Sequence, residues 1–363
     1  MGGRSFLKSS LPKSLRLSYE GKMLNIFLTG ISSKKNDLNK GRWGKDLTYV
    51  NETRIMKKNE VIEEARVNNA VGAIITGADP LMKIDRCVSY IGMLKEAFGK
   101  DFYIQLLIPP TLVTPQRLER VFLAGLDEIS FRMSVHERSD WSKVRYAQKY
   151  AATSIVFDAF PNKKNEAKAL IDAMKGRVKH IIIRELEKND SNEHLCKDLK
   201  VKKNNSIQDS EETAHELVKY ALKKKYHAHY SSSKMKHTTT KERMKLRAKQ
   251  VARKYEKVTN EGTIVHGVIY LPEIIPSAEY HLKLQSMNKK TVVKKLFRIK
   301  RDLQRELRIQ FDAVDVDPEK LRLITDTKTV QHHARHLKSM KLKPAIVEEY
   351  PAAEVPELQV EYL

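Results

Sequence analysis

Cysteine is nearly absent: only Cys87 and Cys196 occur among 363 residues. Two thiols exclude a disulfide framework and fit a reducing compartment. No apolar run approaches the roughly 20 residues of a membrane-spanning helix. The basic start, Met1–Lys22, lacks the apolar centre of a signal peptide. The expectation is a soluble, cytoplasmic protein with no membrane partner. Also missing are a P-loop, a nucleophile elbow and a convincing triad. Acidic charge is short: 45 acidic residues face 68 basic ones, a net +23. Such an excess says nothing about fold but points to a polyanionic partner, and nucleic acid is the commonest one in a cell.

What is present alternates between strand and helix. Leu24–Thr29 and Gly72–Thr76 read as apolar strands, with a polar loop, Asp46–Glu52 and a helical run between them. Lys83–Phe98 has helical spacing, Phe102–Ile108 reads as a strand, and Pro115–Ala124 as a helix with Thr114 as N-cap. Ile129–Met133, Ser154–Ala159, Val178–Arg184 and Tyr226–Tyr230 read as further strands. Glu137–Tyr150, Asn165–Met174, Glu211–Leu222 and Thr240–Tyr255 read as helices, and 188–210 as a surface excursion. Six or seven βα units predict an α/β fold, a (β/α) partial barrel of TIM-like type. From Thr263 the pattern changes to an α+β extension with an amphipathic helix over Asn288–Ile309, a short helix over His332–Met340, and an acidic tail after Pro344. The expected divisions are a basic N-terminal arm (1–22), the partial barrel (23–262), the basic extension (263–343) and the acidic tail (344–363).

In parallel α/β folds the chemistry lies at the carboxyl ends of the strands. Thr76-Gly77-Ala78-Asp79-Pro80 closes one such strand. Gly77 would let backbone approach a ligand, and Asp79 would accept from an ammonium; the plain alternative is a strand-to-helix turn. Glu185 and Glu187 close another strand two residues apart, hence on one face. They are candidates for an acid/base pair or a ribose contact, against a purely structural role.

The stretch Leu24–Pro80 resembles the amino-terminal part of radical S-adenosylmethionine enzymes, above all archaeal proteins related to pyruvate formate-lyase activating enzyme. In that family the loop after the first strand carries Cys-x3-Cys-x2-Cys for a 4Fe–4S cluster. The second strand ends in a Gly-Gly-Glu/Asp-Pro motif that holds the amino end of S-adenosylmethionine. Thr76–Pro80 matches the second motif with Ala78 in place of a glycine. Ungapped placement of the first puts Ser32, Asn36 and Asn39 at the cysteine positions. The resemblance continues through Asp46–Glu52, Leu118–Ile129, Glu185–Glu187, His229–Ser233 and Arg243–Gly262. It implies a partial barrel, but two cysteines do not supply the three or four thiolates of a cluster.

The charge is concentrated. Lys219–Lys257 holds fourteen basic residues against Glu242 and Glu256, and Lys283–Arg308 holds ten against Asp302 and Glu306. Candidate RNA contacts are Lys223, Lys224, Lys225, Tyr226, Lys234, Lys236, Arg243, Lys245, Arg247, Lys249, Arg253, Lys289, Lys290, Lys294, Lys295, Arg298 and Arg301, with Tyr226 available for stacking. The alternative is a solvated helix face. His332 and His336, four apart, lack a further ligand for a metal, and Ser231 stands where the family has cysteine beside His229. No metal site is expected.

The leading expectation from sequence is a non-catalytic RNA-binding protein on a repurposed radical S-adenosylmethionine barrel, a pseudoenzyme with Thr76, Gly77, Ala78 and Asp79 as a vestigial ligand loop. It would be ribosome-associated or an archaeal ribosomal protein that binds rRNA beside neighbouring ribosomal proteins. It would carry no iron–sulfur cluster and at most residual S-adenosylmethionine binding. The alternative is a cluster-free enzyme that binds S-adenosylmethionine or a nucleotide, or modifies RNA. A third reading is a protein-interaction scaffold.

Overall fold

A computed structural model describes residues 11–33, 41–150, 152–190, 192–277, 280–351 and 357–363. It divides into two compact units, residues 1–242 and 243–363.

The first unit is built on β1 (Met23–Phe27), β2 (Thr48–Val50), β3 (Thr53–Ile55), β4 (Gly72–Thr76), β5 (Tyr103–Ile108), β6 (Glu128–Arg132), β7 (Thr153–Ala159), β8 (His180–Glu185) and β9 (His227–Ser231). They form one sheet in the order β3-β2-β1-β4-β5-β6-β7-β8-β9. From β1 through β4 to β9 every pairing is parallel, while β2 and β3 add an antiparallel hairpin on the β1 edge. The helices are α1 (Lys13–Tyr19), α2 (Glu60–Val67), α3 (Ile84–Phe98), α4 (Pro115–Leu123), α5 (Lys164–Ala173), α6 (Ser210–Lys223) and the first part of α7 (Ser233–Val251). The class is α/β with a large parallel sheet, and among the described residues no pairing closes it into a barrel.

Local chemistry sets the elements. Thr114 caps α4 by accepting from the Arg117 N–H, and Pro115 takes the first helical position, where no donor is needed. Glu137–Tyr150, read as a helix, forms only a 3-10 stretch over Trp141–Ala147. Trp141, Val144 and Ala147 repeat every three residues and are buried, which suits three residues per turn.

The two faces of the sheet differ. Ile104, Leu106 and Ile108 of β5, Ile129 and Phe131 of β6, and Ile181 and Ile183 of β8 share a core with Ile91, Leu94, Leu118, Val121, Leu170 and Leu217 from the helices. Several of the alternate residues are polar. Gln105 Nε2 donates to Glu128 Oε1 (2.8 Å) and Ser130 Oγ (2.6 Å), and Ser130 is hydrogen-bonded to Ser154. Helix α1 lies within the expected basic arm and is fastened here: Ser14 Oγ donates to Glu128 Oε1 at 2.7 Å. Burial raises the Glu128 carboxyl above its ordinary pKa.

The second unit holds β10 (Lys257–Val258), β11 (Ile264–Tyr270), β12 (Val314–Asp317), β13 (Arg322–Thr325), β14 (Lys343–Glu349) and β15 (Glu357–Tyr362). The antiparallel order is β12-β13-β11-β14-β15, with β10 on β11. Its helices are α8 (Tyr280–Ser286), α9 (Lys289–Leu307), α10 (Thr327–His332) and α11 (Ala334–Ser339). Leu296 and Leu303 of α9 are fully buried, and Val292, Ile299 and Leu307 pack beside them, the stripe that helical spacing predicts. The acidic tail is largely sheet. Its Glu349 and Glu357 close on Arg322 at 2.6 and 3.0 Å. Among the described residues no helix is long and apolar enough to cross a membrane.

Candidate active site

The carboxyl ends of the parallel strands bring charged side chains of both signs together. Arg184, at the end of β8, grips Asp158 of β7 through Nε–Oδ1 (2.8 Å) and Nη2–Oδ2 (3.0 Å). The pair lines a cavity of about 100 Å³ with Glu185, Glu187, Asn189, Asn192, Ser231–Ser233 and Lys236. Glu185 and Glu187 both reach the first turn of α7. Glu185 Oε2 accepts from the Ser233 N–H at 2.9 Å, and Lys236 Nζ donates to Glu187 Oε2 at 2.6 Å. A carboxylate is favourable there because the first N–H groups of a helix lack intrahelical acceptors. Burial alone would raise Glu187, but the Lys236 ammonium outweighs it and the net direction is downward. The hydroxyl of Ser233 is buried, and Ser233 lines the same cavity.

A second cavity, about 160 Å³, lies beside Ser32, Ser33, Ala78, Thr111, Arg132 and Trp141. Here the loop after β4 is zipped to the loop after β1. The N–H of Ala78 donates to Thr29 O (2.9 Å) and that of Asp79 to Ile31 O (3.1 Å). Gly77 has φ +148, and a Cβ there would sit 2.5 Å from Thr29 O, so glycine is needed for the chain's own close packing. Asp79 is fully buried. Its Oδ1 accepts from the Leu81 N–H (3.2 Å) and its Oδ2 from Ser33 Oγ (2.7 Å). Burial raises its pKa. Arg132, from β6, donates through Nη1 to Gly77 O (3.2 Å) and through Nη2 to Thr76 Oγ1 (2.9 Å). Burial, then the neighbouring Arg184, push its pKa down to about 10, so it stays charged at neutral pH. Arg86 fastens Asp46 at 2.8 Å, and Asp46 in turn accepts from Thr29 Oγ1 at 2.9 Å.

Arg132, Asp158 and Arg184 were not singled out by sequence. The available signal was a charged residue at or next to the last position of each of three strands.

The residues present do not fit a three-thiolate cluster. Cys87 is fully buried on α3 and its thiol is pushed up to about 12 by burial; Cys196 is buried in the excursion after β8. Of the three positions matched to cluster cysteines, Ser32 lines the second cavity, and Asn36 and Asn39 lie outside the described residues. Among the described residues no three His, Cys, Asp or Glu side chains converge as metal ligands. His229 is hydrogen-bonded to Tyr19 and His336 is paired with Glu306 at 3.2 Å. The helix expected over His332–Met340 breaks at His333 into α10 and α11.

The basic candidates divide. In the first unit Lys224 is paired with Asp172 (2.9 Å) and Lys236 with Glu187, and the Tyr226 hydroxyl donates to Ile171 O. Lys223, Lys225 and Lys234 are exposed. In the second unit Arg243 is buried, Arg247 donates to the Pro351 carbonyl, and Arg253 pairs with Glu256 and Asp315. Lys289 pairs with Glu319 and Lys295 with Glu273. Lys249, Lys290, Lys294, Arg298 and Arg301 are exposed, and Lys245 is half-buried.

Fold and site define a parallel α/β protein with charged side chains gathered at its strand ends. No family model matches the chain. A protein of Methanocaldococcus jannaschii, provisionally named a glycyl-radical enzyme activating enzyme, is 32% identical over 277 residues, spanning 71% of this chain and 73% of the relative. The chain belongs to the same radical S-adenosylmethionine-related family.

That relative is named as an enzyme, which overturns the reading of a non-catalytic RNA-binding ribosomal protein and of a pseudoenzyme. The physical reason for the error is visible in the contacts: Lys224, Lys236, Arg253, Lys289 and Lys295, read as RNA contacts, are paired by the fold with the chain's own carboxylates, and the net +23, from which all 45 acidic residues are already subtracted, does not by itself name a partner.

Proposed function

We propose that the chain is an enzyme on a partial barrel of radical S-adenosylmethionine type. It binds a nucleoside-containing small molecule at the strand-end mouth without a three-thiolate cluster. S-Adenosylmethionine is the family ligand from which that class is taken. The observation that carries the reading is the Asp158–Arg184 pair, which faces Glu185, Glu187 and Ser231–Ser233 across one cavity. Carboxylates, amides and hydroxyls at this density suit the hydroxyls of a sugar. The same groups can position a substrate and move a proton; the chain's cysteines do not equip it to relay an electron through a cluster. The activation named for the relative is therefore not carried over.

Calorimetric titration of the full chain tests this. S-Adenosylmethionine and methylthioadenosine, which shares its nucleoside, are the probes. Saturable binding of at least one, weakened about tenfold or more by Arg184→Met, supports the reading. No heat from either at millimolar concentration would sink it.

A further inference from the structure

Among the described residues, the loop after β4 turns several of its polar groups inward, onto the chain itself. Both oxygens of Asp79 receive donors from the chain, from Leu81 and Ser33. The Ala78 and Asp79 N–H groups are spent on Thr29 and Ile31. The Gly77 carbonyl takes a guanidinium N–H from Arg132, whose other terminal nitrogen holds Thr76 Oγ1. Asp79 and Asp158 supply countercharge to that guanidinium, and the Arg184 cation opposes it. It is thus rooted on β6 and held over the loop by charge and by direct hydrogen bonds.

An ammonium seeking the same carbonyl would meet a cation already seated there. Either it sits beside a like charge or it pushes Arg132 towards Arg184. Both are unfavourable, and discrimination by like charge is an effective way to reject a ligand. A nucleoside without an amino-acid end meets no such obstacle. The cavity beside Arg132 is lined by Ser33, Thr111, Ser134 and Trp141; the Ser33 and Thr111 hydroxyls donate to Asp79 and Asp140, and their oxygens can still accept from a ligand hydroxyl. Acidic side chains on that rim do not restore an ammonium site of the same kind: Asp140 is paired with Lys143 at 2.9 Å and accepts from Thr111, and Glu137 is exposed.

We infer that Arg132 is a specificity-determining residue: the chain's own guanidinium takes the place of a ligand ammonium on Gly77, so the site selects a nucleoside that lacks a cationic amino end. This rests on the proposed nucleoside-binding function and narrows it.

The test compares two neutral-sulfur ligands that share the nucleoside, methylthioadenosine and S-adenosylhomocysteine; only the second carries the amino-acid end. Wild-type full-length protein is expected to bind methylthioadenosine about tenfold more tightly or better. Arg132→Met frees the carbonyl and should cut that preference to about threefold or less by improving S-adenosylhomocysteine binding. Arg132→Lys keeps a cation and should retain it. Circular dichroism checks folding, and Arg132→Gln serves if the methionine variant does not fold. A wild type that prefers S-adenosylhomocysteine, with affinity lost in Arg132→Met, would overturn the inference and make Arg132 a carboxylate anchor. Absence of binding by both nucleosides in every variant would instead overturn the functional reading, and the inference with it.

Discussion

Tyr19 and His229, 210 positions apart, share a 2.6 Å hydrogen bond between a hydroxyl and Nε2. The bond ties α1 to β9, and burial holds the His229 imidazole down at about 4. The unfolded chain takes up a proton near the ordinary value of 6.5, whereas the folded chain resists until about 4. Stability from this group is therefore full above 6.5 and is lost as pH falls from 6.5 towards 4. Urea unfolding from pH 7.5 to 4.5 should show a decline of about 2 kcal/mol that is absent in His229→Gln. Tyr19→Phe should cost about 1 kcal/mol at neutral pH. An identical pH profile in wild type and His229→Gln would contradict the assignment.

Arg322 is 1% exposed and is held by Asp317, Glu349 and Glu357. Removing the guanidinium would strand buried carboxylates. Arg322→Met should lower unfolding stability by about 3–5 kcal/mol, and adding Glu349→Gln should recover part of the loss. A single variant as stable as wild type would refute the account. Burial alone would raise Glu349, but Arg322 and Lys320 outweigh it and hold it below the usual carboxylate range. Its contribution is present above about 4.5 and falls away as the pH drops below that value.

Gly77→Ala places a Cβ against Thr29 O in a backbone conformation that L residues rarely adopt. The expected cost is about 1–3 kcal/mol, read from chemical denaturation. Loss of nucleoside binding should accompany it, because the loop after β1 must shift.

Cys87 and Cys196 are both buried, and burial raises both thiols. A thiol reagent should label neither in the native protein within minutes and both after denaturation. Anaerobic treatment with iron and sulfide should leave wild type and Cys87→Ser/Cys196→Ser with the same spectrum. An absorbance band that appears in wild type alone would show that the chain does gather a cluster.

Much of the fold was legible. Gly72–Thr76 was read with its observed bounds, and the α9 stripe followed from spacing, because apolar periodicity records burial directly. The segment Glu137–Tyr150 misled because three-residue and helical spacing differ little over so short a run. Of the site, the loop Thr76–Asp79 and Glu185 with Glu187 were visible as strand ends. Arg132 and Asp158 were not, since a charged residue after an apolar strand looks the same whether it faces solvent or a mouth.

The sequence by itself determined the alternation of strands and helices, the shortage of thiolates and the excess of cations. These are properties of composition and period, and they survive without knowledge of neighbours. Tertiary structure alone decided what each charge meets. It seated Arg132 on Gly77, gave Glu349 and Glu357 of the acidic tail to Arg322, and spent Lys224 and Lys236 on carboxylates 52 and 49 residues away. Coulomb energy depends on distance and burial, and a chain sets neither until distant strands have paired.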